Sequence, residues 1–169
     1  MEISLILIRH AQADVRSAAY PDNSRRPLVA KGHRQAATLA AAFTSLRITL
    51  DRLYSSPFLR AAETAEPLIS HLKRGRAIAY LDTLADGDYG SLLTDIRERL
   101  EPGDTTVACV GHEPFLSDLT SILLSRDRLK VVTAFRKSAV MMLMGSLSPG
   151  AMALEGFLPM NKIKGLKQT

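Results

Sequence analysis

Four side chains able to handle a phosphoryl group stand beside apolar runs in this chain. Arg9 and His10 follow the aliphatic residues 5–8 in LILIRHAQA. Arg60 comes just after the SSP of YSSPFLRAAETAE, and His112 closes the β-branched run TTVACVGH. A buried strand that stops at a cation and an imidazole delivers both to its carboxyl end, which is where open α/β sheets keep their sites. Arginine offers a planar donor fork matched to phosphate oxygens, and helix N-termini add backbone N–H groups and the positive end of a dipole. A neutral imidazole can attack phosphorus. Any one of the four reads as an ion-pair partner or a satisfied cap. Together, at three strand-to-helix junctions, they read as a phosphate pocket with a candidate histidine nucleophile.

The elements that must position them follow from periodicity. Residues 3–8 read as a buried strand, and ADVRSAAYPDNSRRP as a surface loop. From about Val29 the pattern turns helical, with Ala36, Leu39, Ala40 and Phe43 on one face. LDRLYSSP gives a second strand whose Pro57 suits a helix start. FLRAAETAEPLISHL continues as helix, presenting Leu59, Ala62, Leu68, Ile69 and Leu72 to one face, with a kink or break at Pro67. AIAYL is a weak strand and GSLLTDIRERL an amphipathic helix. TTVACVGH is a strand, and EPFLSDLTSILL is a helix with Pro114 in its first turn. SAVMMLMGSLSPGAMALEGF gives two strands around a Ser-Pro-Gly turn, and Met141, Met142 and Met144 are expected in the core. NKIKGLKQT is expected to be loosely ordered. Alternating strands and helices predict an α/β fold, a three-layer sandwich with a mostly parallel sheet and helices on both faces, in one domain spanning residues 1–169.

Composition narrows the partners. At 169 residues the chain is long enough to bury a core, and 46% hydrophobic residues fit a globular class. A net charge of +5 favours anionic partners. With 5% aromatics and no Trp the cations lack stacking partners, so phosphorylated molecules are expected rather than nucleic acid. Cys109, inside an apolar strand, reads as a small buried hydrophobe. The opening MEISLILIRH lacks a basic n-region and its apolar run is short, and no segment reaches the length of a membrane span, so a cytoplasmic protein without membrane association is expected. DTLADGD lacks the ligand spacing of a calcium loop and reads as a turn. Metal binding by His10 and His112 is disfavoured because two guanidiniums would repel a cation. His33 and His71 read as exposed or partly packed.

With LIRHAQA, RRPLVAKGHRQA, YSSPFLRAAETAE and CVGHEPFLSDL in this order, the chain resembles the histidine phosphatase superfamily and, within it, the short phosphohistidine phosphatases of the SixA type. LEGFLPMNKIKGL is similar to their C-terminal strand and tail. The resemblance implies a phosphoglycerate mutase-like fold and a transiently phosphorylated His10. It implies Arg9, Arg60 and His112 on the phosphoryl oxygens, Glu113 beside the substrate, and no metal or other cofactor. The implied substrate is phosphohistidine on a signalling or phosphotransfer protein, or a small phosphorylated molecule. The chain departs from the family at Ala11, where Gly is common, and in lacking the motif glutamate that protonates an alcohol leaving group. Asp86 and Asp88 remain as candidate proton donors, with Glu113 and Asp14 as further carboxylates. A missing general acid costs on the order of 10²–10⁴ in rate on an ester, whereas imidazole leaves phosphorus with less help, which favours P–N substrates. The short segment between Arg60 and His112 leaves little room for a lid, as suits a protein-borne substrate. The alternatives are a small-ester phosphatase using Asp86 or Asp88, and a non-catalytic phosphoprotein-binding module.

Overall fold

The computed structural model describes residues 2–133, 135–163 and 165. Its strands are β1 (Ile3–Arg9), β2 (Arg52–Ser55), β3 (Ala79–Tyr80), β4 (Thr106–Gly111), β5 (Val140–Gly145) and β6 (Met152–Leu158). They form one sheet in the order β3-β2-β4-β1-β5-β6. The first four places are parallel; β5 runs antiparallel to β1, and β6 antiparallel to β5. The period of two in β1 explains its unbroken apolar run. Ile3, Leu5 and Leu7 enter one core, and Ile6 and Ile8 the other, so both faces are covered.

The first core is closed by α4 (Tyr89–Arg99) through Leu92, Leu93 and Ile96, and by α5 (Phe115–Ser125) through Leu116, Leu119 and Leu123. The second is closed by α1 (Ala30–Ser45) with Leu39, Ala42 and Phe43, by α2 (Leu59–Ala65) with Ala61 and Ala65, and by the short α6 (Met160–Ile163). Helices therefore cover both faces of a mostly parallel sheet, as expected. Register brings the strand ends together: Arg9 pairs with Gly111 across β1 and β4, and Ser55 with Val110 across β2 and β4. The residues that follow, His10, Ser56 and His112, leave the sheet side by side.

Three local expectations change. The helix after Pro57 breaks at Pro67 as expected, stopping at Ala65 and continuing as a 3₁₀ segment over Glu66–His71, but its buried face differs. Its buried face is Arg60, Ala61, Thr64 and Ala65, while Leu59 and Ile69 are exposed. Burial of Arg60 and Thr64 for the site overrides the apolar stripe. DTLADGD is a helical turn, α3 (Thr83–Asp86), ended by Gly87 at φ 82°. The start of the C-terminal tail is packed: Met160 and Ile163 are buried in the second core. Residues 164 and 166–169, also expected to be loosely ordered, lie outside the described residues. Of the three methionines, Met141 is buried, and Met142 and Met144 are half-buried.

Candidate active site

His10 sits at the end of β1 and is 6% exposed; its backbone N–H donates to Gly111 O at 3.0 Å. Burial lowers its pKa to about 3, with His112, Arg60 and Arg9 pushing the same way, so the ring is neutral. Its Nδ1 lies 2.7 Å from Ala11 O. A carbonyl only accepts, so Nδ1 carries the proton and Nε2 keeps the lone pair. The Ala11 N–H donates in turn to Thr64 Oγ1 at 2.9 Å, and that hydroxyl donates to Arg60 O at 2.6 Å. One threonine thus ties the nucleophile's segment to the helix bearing Arg60. Ala11 is not among the residues with positive φ, so the small residue in place of glycine is unstrained.

The segment after His10 is held by α1, and there a glycine is required. A Cβ on Gly32 would stand 2.1 Å from Gln12 O. That carbonyl accepts from Val29 N–H at 3.0 Å, while Gln12 N–H donates to Gln35 Oε1 at 2.9 Å.

His112 approaches His10 with ring centroids 5.1 Å apart. Burial is the main cause of its pKa being lowered to about 3, with Arg60, Arg26 and Arg9 adding to it. Its Nε2 lies 2.8 Å from Ser56 Oγ, which is fully buried and accepts from Phe58 N–H at 3.3 Å. When the Ser56 hydroxyl donates its proton to Nε2, the ring proton of neutral His112 stands on Nδ1. The Phe58 ring braces two site residues, its centroid 5.1 Å from that of His112 and 4.9 Å from the Arg60 guanidinium carbon.

Arg60 is 5% exposed and pushed down to about 10, first by burial and then by Arg26; its Nη1 donates to Asn23 O at 2.9 Å. Arg9 Nη1 donates to Phe135 O at 2.5 Å. Ser138, buried at φ 60°, donates its N–H to Arg9 O at 3.1 Å. Backbone strain at a non-glycine residue is characteristic of functional sites. Arg9 Nε, Arg60 Nε, His112 Nδ1 and Ser138 Oγ are buried without a hydrogen-bond partner among the described residues. Buried donors are normally satisfied, so four orphans beside one neutral imidazole make a cradle suited to an oxyanion.

The expected carboxylates are distributed differently. Glu113 is half-buried and accepts from Ser117 Oγ at 3.0 Å; burial raises its pKa. Asp88 is exposed and caps α4, engaged by Ser91 N–H at 3.1 Å and Ser91 Oγ at 2.6 Å, and these bonds hold it below the usual carboxylate range. That is the wrong direction for a proton donor. Asp86 is exposed on α3, and Asp14 is held low by Tyr20 and by Val15 N–H. His33 is exposed, and His71 packs against Phe43. Cys109 is fully buried, its thiol pushed up to about 12 by burial, and is inert. Among the described residues no three His, Cys, Asp or Glu side chains cluster as ligands, and no helix is long and apolar enough to cross a membrane.

Reading the sequence did not single out Ser56, Phe58, Thr64, Arg26, Lys137 or Ser138. Arg26 donates through Nη1 to Asp14 O at 2.6 Å and adds its field to Arg60 and His112. Lys137 is half-buried, and its pKa is lowered by burial and then by Arg9, Arg26, Arg60 and Lys31. Thr64 carried one signal, its placement four residues after Arg60.

Comparison with known proteins places this geometry. Residues 5–102 match the histidine phosphatase superfamily (branch 1). An uncharacterised protein of Mycobacterium tuberculosis is 29% identical over 164 residues, covering 89% of this chain and 98% of that one. The structure of the protein histidine phosphatase SixA complexed with tungstate superposes with a TM-score of 0.81 at 22% identity, covering 95% of this chain and 99% of that one. A phosphoserine phosphatase of Entamoeba histolytica in complex with 3-phosphoglyceric acid superposes at 0.66 and 16% identity, covering 95% and 99%. At these identities the two structures attest the fold.

Proposed function

As the chain belongs to the histidine phosphatase superfamily (branch 1), we propose that it is a cytoplasmic phosphohistidine phosphatase that works through phospho-His10 and takes its phosphoryl group from a histidine on a signalling or phosphotransfer protein. The observation that carries the reading is the neutral His10, its Nδ1 proton held by Ala11 O, beside four buried donor atoms that lack partners. In the first step His10 Nε2 attacks phosphorus and the bond to the substrate's ring nitrogen breaks; the substrate ring, protonated by solvent on its other nitrogen, leaves as neutral imidazole. In the second step water attacks phospho-His10, inorganic phosphate leaves and the imidazole is restored. Two displacements replace one. Charge spreads over the equatorial oxygens in each, and Arg9, Arg60 and the Nδ1–H of His112 meet it with fixed donors.

The P–N preference rests on the carboxylates. Asp88 is spent on a helix cap that holds it low and Asp14 is held low by Tyr20, so neither is poised as a proton donor; Glu113, raised by burial with Arg9 opposing, is the carboxylate an ester reaction would have to use. An alkoxide leaving group needs such an acid far more than an imidazole does. The likeness to a phosphoserine phosphatase keeps small phosphate esters as the second reading. The test is phosphate release, under metal-free conditions, from a histidine-phosphorylated phosphotransfer domain and from a simple phosphate ester. Fast turnover of the phosphohistidine, abolished in His10→Ala and slow on the ester, is expected. Fast ester turnover without phosphohistidine activity assigns the small-molecule reading instead, and binding without turnover of either assigns the binding module.

A further inference from the structure

Two loops commit backbone groups to the arginines of the site. In residues 14–26, Asn23 O holds Arg60 and Asp14 O holds Arg26, while Tyr20 Oη donates to Asp14 Oδ2 at 2.8 Å. In residues 126–138, Phe135 O holds Arg9 and Ser138 N–H donates to Arg9 O. Val131 N–H donates to Ser121 Oγ at 2.9 Å, and Thr133 O accepts from Ser117 Oγ at 3.4 Å. Loops pinned this way have little freedom to fold their side chains inward.

What they turn outward is distinctive. Val132 is 93% exposed, Leu129 78% and Val15 72%, and these are the three most exposed large hydrophobic side chains among the described residues. Exposed hydrophobes scattered singly need no explanation, but these three all lie on the two loops whose backbones hold Arg9, Arg60 and Arg26. Basic residues outnumber acidic ones eight to three across the two loops. Asp22 is spent on capping Asn23–Arg25 and Asp127 accepts from Leu129 N–H. Arg16, Arg25, Lys130 and Arg136 are exposed and form no ion pair among the described residues.

We propose that these two loops form a docking rim for an acidic protein domain, which places its phosphohistidine in the pocket while Val15, Leu129 and Val132 contact its apolar surface. This rests on the phosphohistidine reading above. Aliphatic contacts ringed by cations suit an acidic protein surface, where charge speeds encounter and a few buried apolar anchors hold the complex. The exposed anchors are aliphatic, whereas a nucleic-acid surface would offer aromatic platforms for bases.

The experiment compares two substrates with the same scissile bond, phosphoimidazole and a histidine-phosphorylated phosphotransfer domain of net negative charge. Two variants are used, Leu129→Ser with Val132→Ser, and Lys130→Glu with Arg136→Glu. Each is expected to lower kcat/KM on the domain about tenfold or more while leaving phosphoimidazole within about twofold, and added salt is expected to slow the domain reaction alone. Equal losses on both substrates, or no loss on the domain, overturn the rim. So does binding of the wild type to phosphatidylserine vesicles that the same substitutions abolish, which reassigns the loops to a membrane surface. Hydrolysis of an ester but of neither P–N substrate by the wild type is a different failure: it removes the phosphohistidine reading, and the rim with it.

Discussion

Replacing Ser56 by Ala removes one hydroxyl whose partners are Phe58 N–H and the His112 ring, and the geometry says how much that should cost. The Ser56 Oγ to His112 Nε2 contact is 2.8 Å, and Ser56 is fully buried. Without it both ring nitrogens of His112 lack a partner, since Nδ1 has none among the described residues. The proton is then free to move to Nε2, which turns a lone pair instead of an N–H toward the phosphoryl oxygens. An unsatisfied buried polar group costs about 1–3 kcal/mol. Expressed in the transition state, that is a loss of about 5- to 150-fold in kcat. Two measurements check it: steady-state turnover, and the ¹⁵N shifts of the His112 ring, which distinguish the tautomers. The wild type is expected to carry its proton on Nδ1, and Ser56→Ala to show a mixture. A urea midpoint for the variant separates this from simple unfolding. A folded Ser56→Ala protein with unchanged kcat, or a wild-type His112 protonated on Nε2, would refute the reasoning.

Two further outcomes follow from the same site. His10 and His112 each titrate at about 3 when folded, against a usual 6.5, so between these values the unfolded chain binds more protons and stability must fall as pH drops. At pH 5 each histidine is expected to cost about 2 kcal/mol relative to pH 8, and urea midpoints across this range should flatten in His10→Gln; an unchanged slope would mean the folded imidazoles titrate normally. Gly32→Ala is expected to destabilise the chain and to slow turnover together, because its Cβ would meet Gln12 O at 2.1 Å and force α1 away from the segment after His10; stability within error of the wild type would show that the helix moves freely there.

The strands that carry the candidate site were readable because both of their faces are buried. An apolar run with no alternation, cut off by Arg9 and His10, states both that the strand is central and where its functional edge lies. The same holds for residues 105–112, and Pro67 announced the end of α2. The register was not readable: no local pattern sets Arg9 opposite Gly111 or places Ser56 beside His112, because such pairings are decided by packing between segments over 50 residues apart. Ser56, Thr64 and Ser138 stayed hidden for that reason, since each acts on a backbone or ring group from a distant part of the chain.

Periodicity actively misled on α2. Its apolar residues suggested a face of Leu59 and Ala62, yet the fold buries Arg60 and Thr64 and leaves Leu59 exposed. Burying a guanidinium costs free energy that an ordinary packing interface would not accept. The cost is offset in part by Asn23 O and the Phe58 ring, but Arg60 Nε is left with no partner among the described residues. A helix that buries its charge and exposes its leucine departs from the amphipathic pattern, and such departures are expected at functional sites. The same reasoning reaches the rim loops, whose most exposed valines and leucine depart from ordinary surface composition in the opposite sense and in the same neighbourhood.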